Sequence, residues 1–235
     1  MGIAKDIMPN SLSLVLRGQS PLNTSDSEFG PNFFKFPHKT LKKLKRLRFY
    51  ISTMNLDIYT PRLHLRQFRP NDITNFIQYR NDPIVAQYQS WKPMDEEESQ
   101  IFIENAMLTP MTEPDGQIAI ALRETDELIG DCYLQNWDPE QAEVGITLMR
   151  QYHRGGYGLE TVTALLNYGF NTLNLHRIYA YVACANVGAV AHLEKLGFRR
   201  EGCGKLAFGY GGVWQDDYQY AMLKSEYKEK YISHE

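Results

Sequence analysis

Downstream of Thr60 the hydrophobic and polar positions switch between a two-residue and a 3.6-residue period. Arg62-Leu63-His64-Leu65-Arg66 alternates strictly and predicts a strand with one buried face. Asp72 then stands as a helix cap before Ile73, Phe76, Ile77 and Tyr79, which share one helical side. Asp95-Glu96-Glu97-Glu98 opens a second helix whose apolar side carries Ile101, Phe102, Ile103 and Met107. Strands follow at 117–123, 128–135 and 143–149, separated by turn-like residues at 124–127 and 138–140, which reads as a meander. Leu159, Val162, Leu165, Leu166 and Phe170 mark a helix, 177–184 a strand, 187–196 a helix and 213–222 a final strand. There is no internal repeat, and the order of elements predicts a mixed α/β fold.

One junction carries chemistry. Between the strand at 144–149 and the next helix the chain reads His153-Arg154-Gly155-Gly156-Tyr157-Gly158-Leu159-Glu160. Glycines let backbone approach a ligand closely, and the first amides of a helix point outward without intrahelical partners, so the turn suits an anion. A nucleoside-triphosphate loop would need Gly-Lys-Ser/Thr where this chain has Gly158-Leu159-Glu160. A dinucleotide fingerprint should follow an early strand of a repeated βαβ pattern, whereas this turn comes after several short strands. The pyrophosphate of coenzyme A remains.

Composition narrows the class further. With 235 residues, 43% of them hydrophobic, the chain supports one catalytic domain and an appendage. A net charge of -3 argues against nucleic-acid binding by the whole fold. Cys132, Cys184 and Cys203 have neither metal-site nor disulfide spacing, so no metal is expected and a reducing, cytoplasmic setting is. Nothing approaches membrane-spanning length, and neither Ser11–Leu16 nor the opening Met1-Gly2-Ile3-Ala4-Lys5-Asp6 reads as a targeting signal. The character changes near residue 55, dividing the chain into an extension at 1–54 and a domain at 55–235. Within the extension, residues 10–37 are rich in Ser, Pro, Asn and Gly, and a basic run at 39–48 sets Leu41, Leu44 and Leu47 at three-residue spacing. The expectation is a disordered or loosely docked tail, or a start upstream of Met54. An RNA- or ribosome-facing basic helix is the alternative.

The glycine turn acquires meaning beside a second segment, Asn186-Val187-Gly188-Ala189-Val190-Ala191-His192-Leu193-Glu194-Lys195-Leu196-Gly197-Phe198. With Thr60-Pro61-Arg62-Leu63-His64-Leu65-Arg66 ahead of them, and Gly212-Val213-Trp214-Gln215-Asp216 and Tyr220-Ala221-Met222-Leu223-Lys224 behind, these segments resemble the GNAT superfamily of acyl-CoA N-acyltransferases. The likeness is nearer to its RimJ/RimL-like branch, and it runs from about Leu56 to Tyr231. It implies a central mixed sheet flanked by helices on both faces, splayed between the strands at 144–149 and 177–184, with acetyl-CoA in the gap. By this resemblance Leu148, Met149 and Arg150 hold the pantetheine through backbone groups, and Arg154, Gly155, Gly156, Tyr157, Gly158 and Leu159 hold the pyrophosphate. Asn186 meets the cofactor's inner end, and His153 stands where the family usually has Gln or Arg.

The implied reaction is direct attack of a neutral amine on the thioester in a ternary complex, with a backbone N–H near Ile146 to Leu148 stabilising the oxyanion. Glu143 is the candidate base, because alternation places it with Gly145 and Thr147, opposite Val144, Ile146 and Leu148. A solvated strand-end charge is the competing reading of Glu143, and Asp131, Asp138 and Glu140 are poorer candidates on turns. Ala189 and Leu193 occupy the two positions where relatives carry a general acid, and neither can donate a proton. A thiol of pKa roughly 8.5 can leave as thiolate unaided. His192, expected on the polar helix face, and Cys184, expected buried in a strand, are the nearby substitutes. Trp214, Tyr218 and Tyr220 could line a substrate mouth, although aromatic residues in a closing strand are usually core, and Glu96, Glu97 and Glu98 could make the mouth acidic or simply solvate a helix start. The branch favours a protein N-terminal α-amine as acceptor. The alternatives are a small amine (polyamine, amino acid or aminoglycoside) and a non-catalytic acyl-CoA-binding module. A monomer or homodimer is expected.

Overall fold

Eight strands form one sheet in the order β1-β2-β3-β4-β5-β6-β8-β7, in a computed structural model that describes residues 57–109, 116–210 and 213–232. The extension at 1–54, with its basic run, lies outside the described residues. The strands are β1 (Ile58–Tyr59), β2 (Leu63–Arg66), β3 (Ile118–Leu122), β4 (Leu128–Asp138), β5 (Gln141–Leu148), β6 (Arg177–Ala183), β7 (Arg199–Tyr210) and β8 (Val213–Leu223). The helices are α1 (Ile73–Arg80), α2 (Pro83–Ala86), α3 (Glu96–Leu108), α4 (Tyr157–Asn167), α5 (Val187–Leu196) and α6 (Lys224–Tyr231). β3 to β5 make the expected meander, β2 pairs beside β3 after the intervening helices, every pair in the sheet is antiparallel except β5 with β6, and the fold is the mixed α/β one expected.

Side-chain alternation sorts the sheet into two packed faces. Ala142, Val144, Ile146 and Leu148 of β5 join Ile178, Ala180 and Val182 of β6 and Tyr220 and Met222 of β8 beneath Val162, Leu165 and Leu166 of α4 and Leu193 and Leu196 of α5. Removing each of these large aliphatic side chains from water stabilises the fold by roughly 1.5–3 kcal/mol. The opposite face carries α1 and α3, where Phe76, Tyr79, Ile103 and Ala106 pack with Phe68, Ala119, Leu128 and Met149.

Several elements depart from the periodicity. β2 is buried on both faces rather than one, because Arg66 lies under the chain and forks onto Asp72 at 2.8 and 2.9 Å and onto Asp126 at 2.8 Å. Asp72 therefore makes no side-chain cap for α1, its carboxylate being held by Arg66 and the Arg69 amide. The helix expected to reach Phe170 ends at Asn167 and continues as a π-turn over Tyr168–Thr172. β1, α2, β7 and α6 were not signalled by the alternation: β1 is two residues long, and α6 is polar on most of its surface.

Candidate active site

The cleft begins where β5 and β6 part. Their parallel pairing covers Gln141, Ala142 and Glu143 against Arg177, Ile178 and Tyr179, and then stops. The Met149 amide donates to the Ile129 carbonyl at 2.8 Å, so the antiparallel alternation turns the peptide groups of Ile146 and Leu148 away from β4, toward the gap. α4 starts beyond the carboxyl end of β5, and α5 beyond that of β6. Two helix N-termini, each carrying about half a positive charge, therefore flank the opening, the place where open parallel strands bind ligands.

The glycine turn is built for backbone donation. Arg154 and Gly156 have φ of 62° and 81°, a left-handed conformation that glycine adopts without strain. The first donor inside α4 is the Glu160 amide, bonded to Gly156 O at 3.1 Å. The amides of Tyr157, Gly158 and Leu159 therefore precede the helical ladder. Arg154 and Gly155 are exposed, and Gly158 is buried.

A clamp absent from the sequence reading holds this turn. Glu160 accepts from Thr60 Oγ1 at 2.6 Å, from the Arg62 amide at 2.8 Å and from Arg62 Nε at 2.7 Å, while Arg62 Nη1 donates to Gly155 O at 2.9 Å. The guanidinium lies 4.2 Å above the Tyr157 ring. Burial alone would raise the Glu160 carboxyl, but the hydrogen bonds from Thr60 and Arg62 outweigh it and hold the group below the usual carboxylate range. The opening motif thus positions the anion-binding turn.

The pantetheine positions divide. Leu148 O accepts from His153 Nε2 at 2.9 Å, which gives His153 a local task beside the gap. Met149 uses its amide on Ile129 and its carbonyl on Tyr152, and Arg150 O accepts from the His153 amide, so the groups turned to the gap are the Ile146 peptide groups and the Leu148 amide. Asn186 is buried and caps α5, its Oδ1 accepting from the Ala189 amide at 3.2 Å.

Glu143 stands at the point of divergence and is 5% exposed, so it is not a solvated strand-end charge. It accepts from Tyr133 Oη at 3.1 Å. Gly145 makes this contact possible, since a Cβ there would lie 2.0 Å from the Tyr133 ring, which crosses β5 at that point. Tyr179 and Tyr181 of β6, with ring centroids 5.8 Å apart, share this face, as does Asp217 of β8 by its pairing with Ala183. A buried carboxylate among tyrosine rings is an environment for an ammonium group. Tyr133 and Tyr179 could have been found by carrying the alternation that selected Glu143 across to the neighbouring strands.

Other candidates move. Asp131 lies within β4, not on a turn, buried and paired with Arg80 at 2.5 Å; burial nevertheless raises its carboxyl against the pull of Arg80. Asp138 bonds the Glu140 amide at the β4–β5 turn. His192 is buried between α5 and α4 rather than on a polar face, and burial pushes it down to about 4, with the Gly158 backbone opposing. Cys184 is half-exposed just past β6 rather than buried in it. Its sulfur is 3.9 Å from that of Cys203, and burial followed by Cys203 pushes its thiol up to about 11. Trp214 is exposed on β8, while Tyr218 and Tyr220 face the helix side of the sheet, opposite Glu143, with Tyr220 Oη on Glu194 at 2.9 Å. Ala189 and Leu193 are buried apolar residues. Glu98 closes a capping box with Asp95, so the acidic start of α3 serves its own helix. Among the described residues there is no His, Cys, Asp and Glu cluster able to hold a metal, and no helix is long and apolar enough to cross a membrane.

Known proteins share this architecture. The uncharacterized N-acetyltransferase p20 of Bacillus licheniformis is 34% identical over 173 residues, covering 72% of this chain and 97% of that protein. A spermidine N(1)-acetyltransferase of Vibrio cholerae is 34% identical over 92 residues, 39% of this chain and 53% of that one. The crystal structure of a GNAT-family acetyltransferase from Bacillus anthracis superposes with a TM-score of 0.66 at 29% identity, covering 72% of this chain and 99% of the other. The family described as the acetyltransferase (GNAT) domain matches residues 62–199, which takes in the Arg62 clamp, Glu143, the glycine turn and Asn186. The chain belongs to the GNAT acetyltransferase family and is an N-acetyltransferase.

Proposed function

We propose that the protein transfers the acetyl group of acetyl-CoA to the α-amine of a protein N-terminus, as the RimJ/RimL-like branch does. The observation that carries this reading is the buried Glu143, set among Tyr133 and Tyr179 at the apex of a cleft flanked by two helix N-termini. The amides of Tyr157, Gly158 and Leu159 and the side chain of Arg154 hold the pyrophosphate, and the peptide groups of Ile146 and Leu148 hold the pantetheine and the developing oxyanion. Acetyl-CoA supplies the thioester carbonyl. Glu143 takes the proton from the acceptor ammonium, directly or through one water, while the tyrosines orient the carboxylate. The freed nitrogen pair forms the N–C bond, the C–S bond breaks, the nitrogen gives up its second proton to solvent to become the amide, and the thiolate collects a proton from solvent without an enzymic acid.

The relation to the spermidine enzyme favours a second reading, acetylation of a polyamine, since the same carboxylate and rings suit any ammonium. Release of free thiol from acetyl-CoA against Ala-, Ser- and Met-started peptides, polyamines and aminoglycosides separates the two. Turnover on the peptides supports the proposal. Turnover on the small amines alone replaces it, and acetyl-CoA binding without turnover on any of them makes the chain an acyl-CoA-binding module.

A further inference from the structure

The chain between Arg80 and Tyr88 touches both lips of the gap. It starts over β4, where Arg80 pairs with Asp131 at 2.5 Å, on the sheet face that carries Glu143, since Asp131 stands opposite Thr147. It then crosses the carboxyl end of β5. There Asp82 lines one cavity with Met149, Arg150 and Gln151, and Val85 of α2 packs in the same apolar cluster as Met149. It ends across the gap, where Tyr88 Oη donates at 3.2 Å to the carbonyl of Ala185, between β6 and the Asn186 cap of α5. Within the crossing, Asp82 Oδ1 accepts from the Ile84 amide at 2.8 Å and caps α2. Because the sheet order is β4-β5-β6 and the β5–β6 pairing stops at Glu143 and Tyr179, residues 82–88 bridge the splayed part of the sheet.

α4 and α5 start at this same end of the gap and pack on the opposite face of the sheet. A ligand arm lying in the gap at this level therefore has two helix starts on one side and the bridge on the other. We infer that Tyr88 is a positioning residue for the cofactor: its bond to Ala185 fastens the bridge to the β6 lip and so roofs the pantetheine arm on the Glu143 side. The acceptor is left to enter nearer Glu143, beyond the bridge. The inference rests on the reading that places acetyl-CoA in the gap, and it goes further by naming what holds the arm there. A channel closed in advance spares the arm and its walls the ordering that an open one demands on binding. A single neutral hydrogen bond contributes a factor of about 2 to 10 to such an equilibrium.

The test measures, by calorimetry on the full chain, the binding of CoA and of its phosphoadenosine diphosphate fragment, which keeps the nucleotide and pyrophosphate and lacks the arm. Tyr88→Phe keeps the ring and loses the hydrogen bond. It is expected to weaken CoA by about 3- to 10-fold and to leave the fragment unchanged. Asp82→Ala removes the cap of α2 at the other end of the bridge, is expected to give the same split, and decides the matter if Tyr88→Phe does not fold. A loss shared equally by the two ligands overturns the inference and assigns the Tyr88 bond to the support of Asn186 and α5. Unchanged binding of both ligands in both variants overturns it as well. Failure of the cofactor reading is distinguishable, because there the wild type itself binds CoA no more tightly than the fragment.

Discussion

Arg62 and Glu160 are 98 residues apart in sequence, yet Arg62 meets Glu160 through both its amide and its guanidinium, and from there reaches Gly155. The first turn of α4 is thereby fixed to the chain just ahead of β2. Its amides need no reorganisation to receive an anion, which is where binding affinity is otherwise lost.

Glu160→Gln keeps the shape of this contact and removes its charge. The expected result is about 10-fold weaker acetyl-CoA binding by calorimetry. The cost in stability should be about 1 kcal/mol, because solvent screens the half-exposed Arg62. Arg62→Ala should weaken binding at least as much. An unchanged dissociation constant in both variants would show that the clamp does not prepare the turn.

His192 ties acid stability to the packing of α5 on α4. Its folded-state pKa near 4 lies below the ordinary value of 6.5, so on acidification the unfolded chain takes the proton first. The stabilisation from keeping this ring neutral is intact above pH 6.5 and is lost as pH falls to about 4, amounting to at most about 3 kcal/mol. Denaturant titrations of wild type and His192→Phe from pH 7 to pH 4 should diverge over that window, with the wild type losing more. Parallel curves would place the imidazole in water.

Cys184 bears on the route of transfer. With its thiol pushed up to about 11, the thiolate needed for an acyl-cysteine intermediate is scarce at neutral pH. Initial-rate lines at varied acetyl-CoA and peptide should intersect, and Cys184→Ala should keep activity within about 2-fold. Parallel lines together with an inactive Cys184→Ala would establish a covalent intermediate instead.

Much of this was legible in the chain. The meander and the glycine turn follow from period-two alternation and from glycine chemistry, both local signals, whereas the splay between the strands at 144–149 and 177–184 came only with the family resemblance. The clamp was not, because Thr60, Arg62 and Glu160 come together only when β2 packs beside α4. The same holds for His192, whose polar atoms suggested the exposed helix face, whereas the face it occupies is turned inward; Tyr220 took the core place usual for an aromatic of a closing strand. Arg66 defeated the one-face rule for β2 because a guanidinium paired with two carboxylates can be buried.

The most direct test is steady-state acetylation of an alanine-started peptide by wild type and Glu143→Gln, with mass spectrometry locating the added acetyl group and calorimetry following acetyl-CoA. The account predicts acetyl on the α-nitrogen, a fall in kcat of about 10²- to 10⁴-fold in Glu143→Gln, and unchanged acetyl-CoA affinity. Full activity in Glu143→Gln, or a wild type that binds acetyl-CoA and leaves the α-amine unmodified, would contradict it.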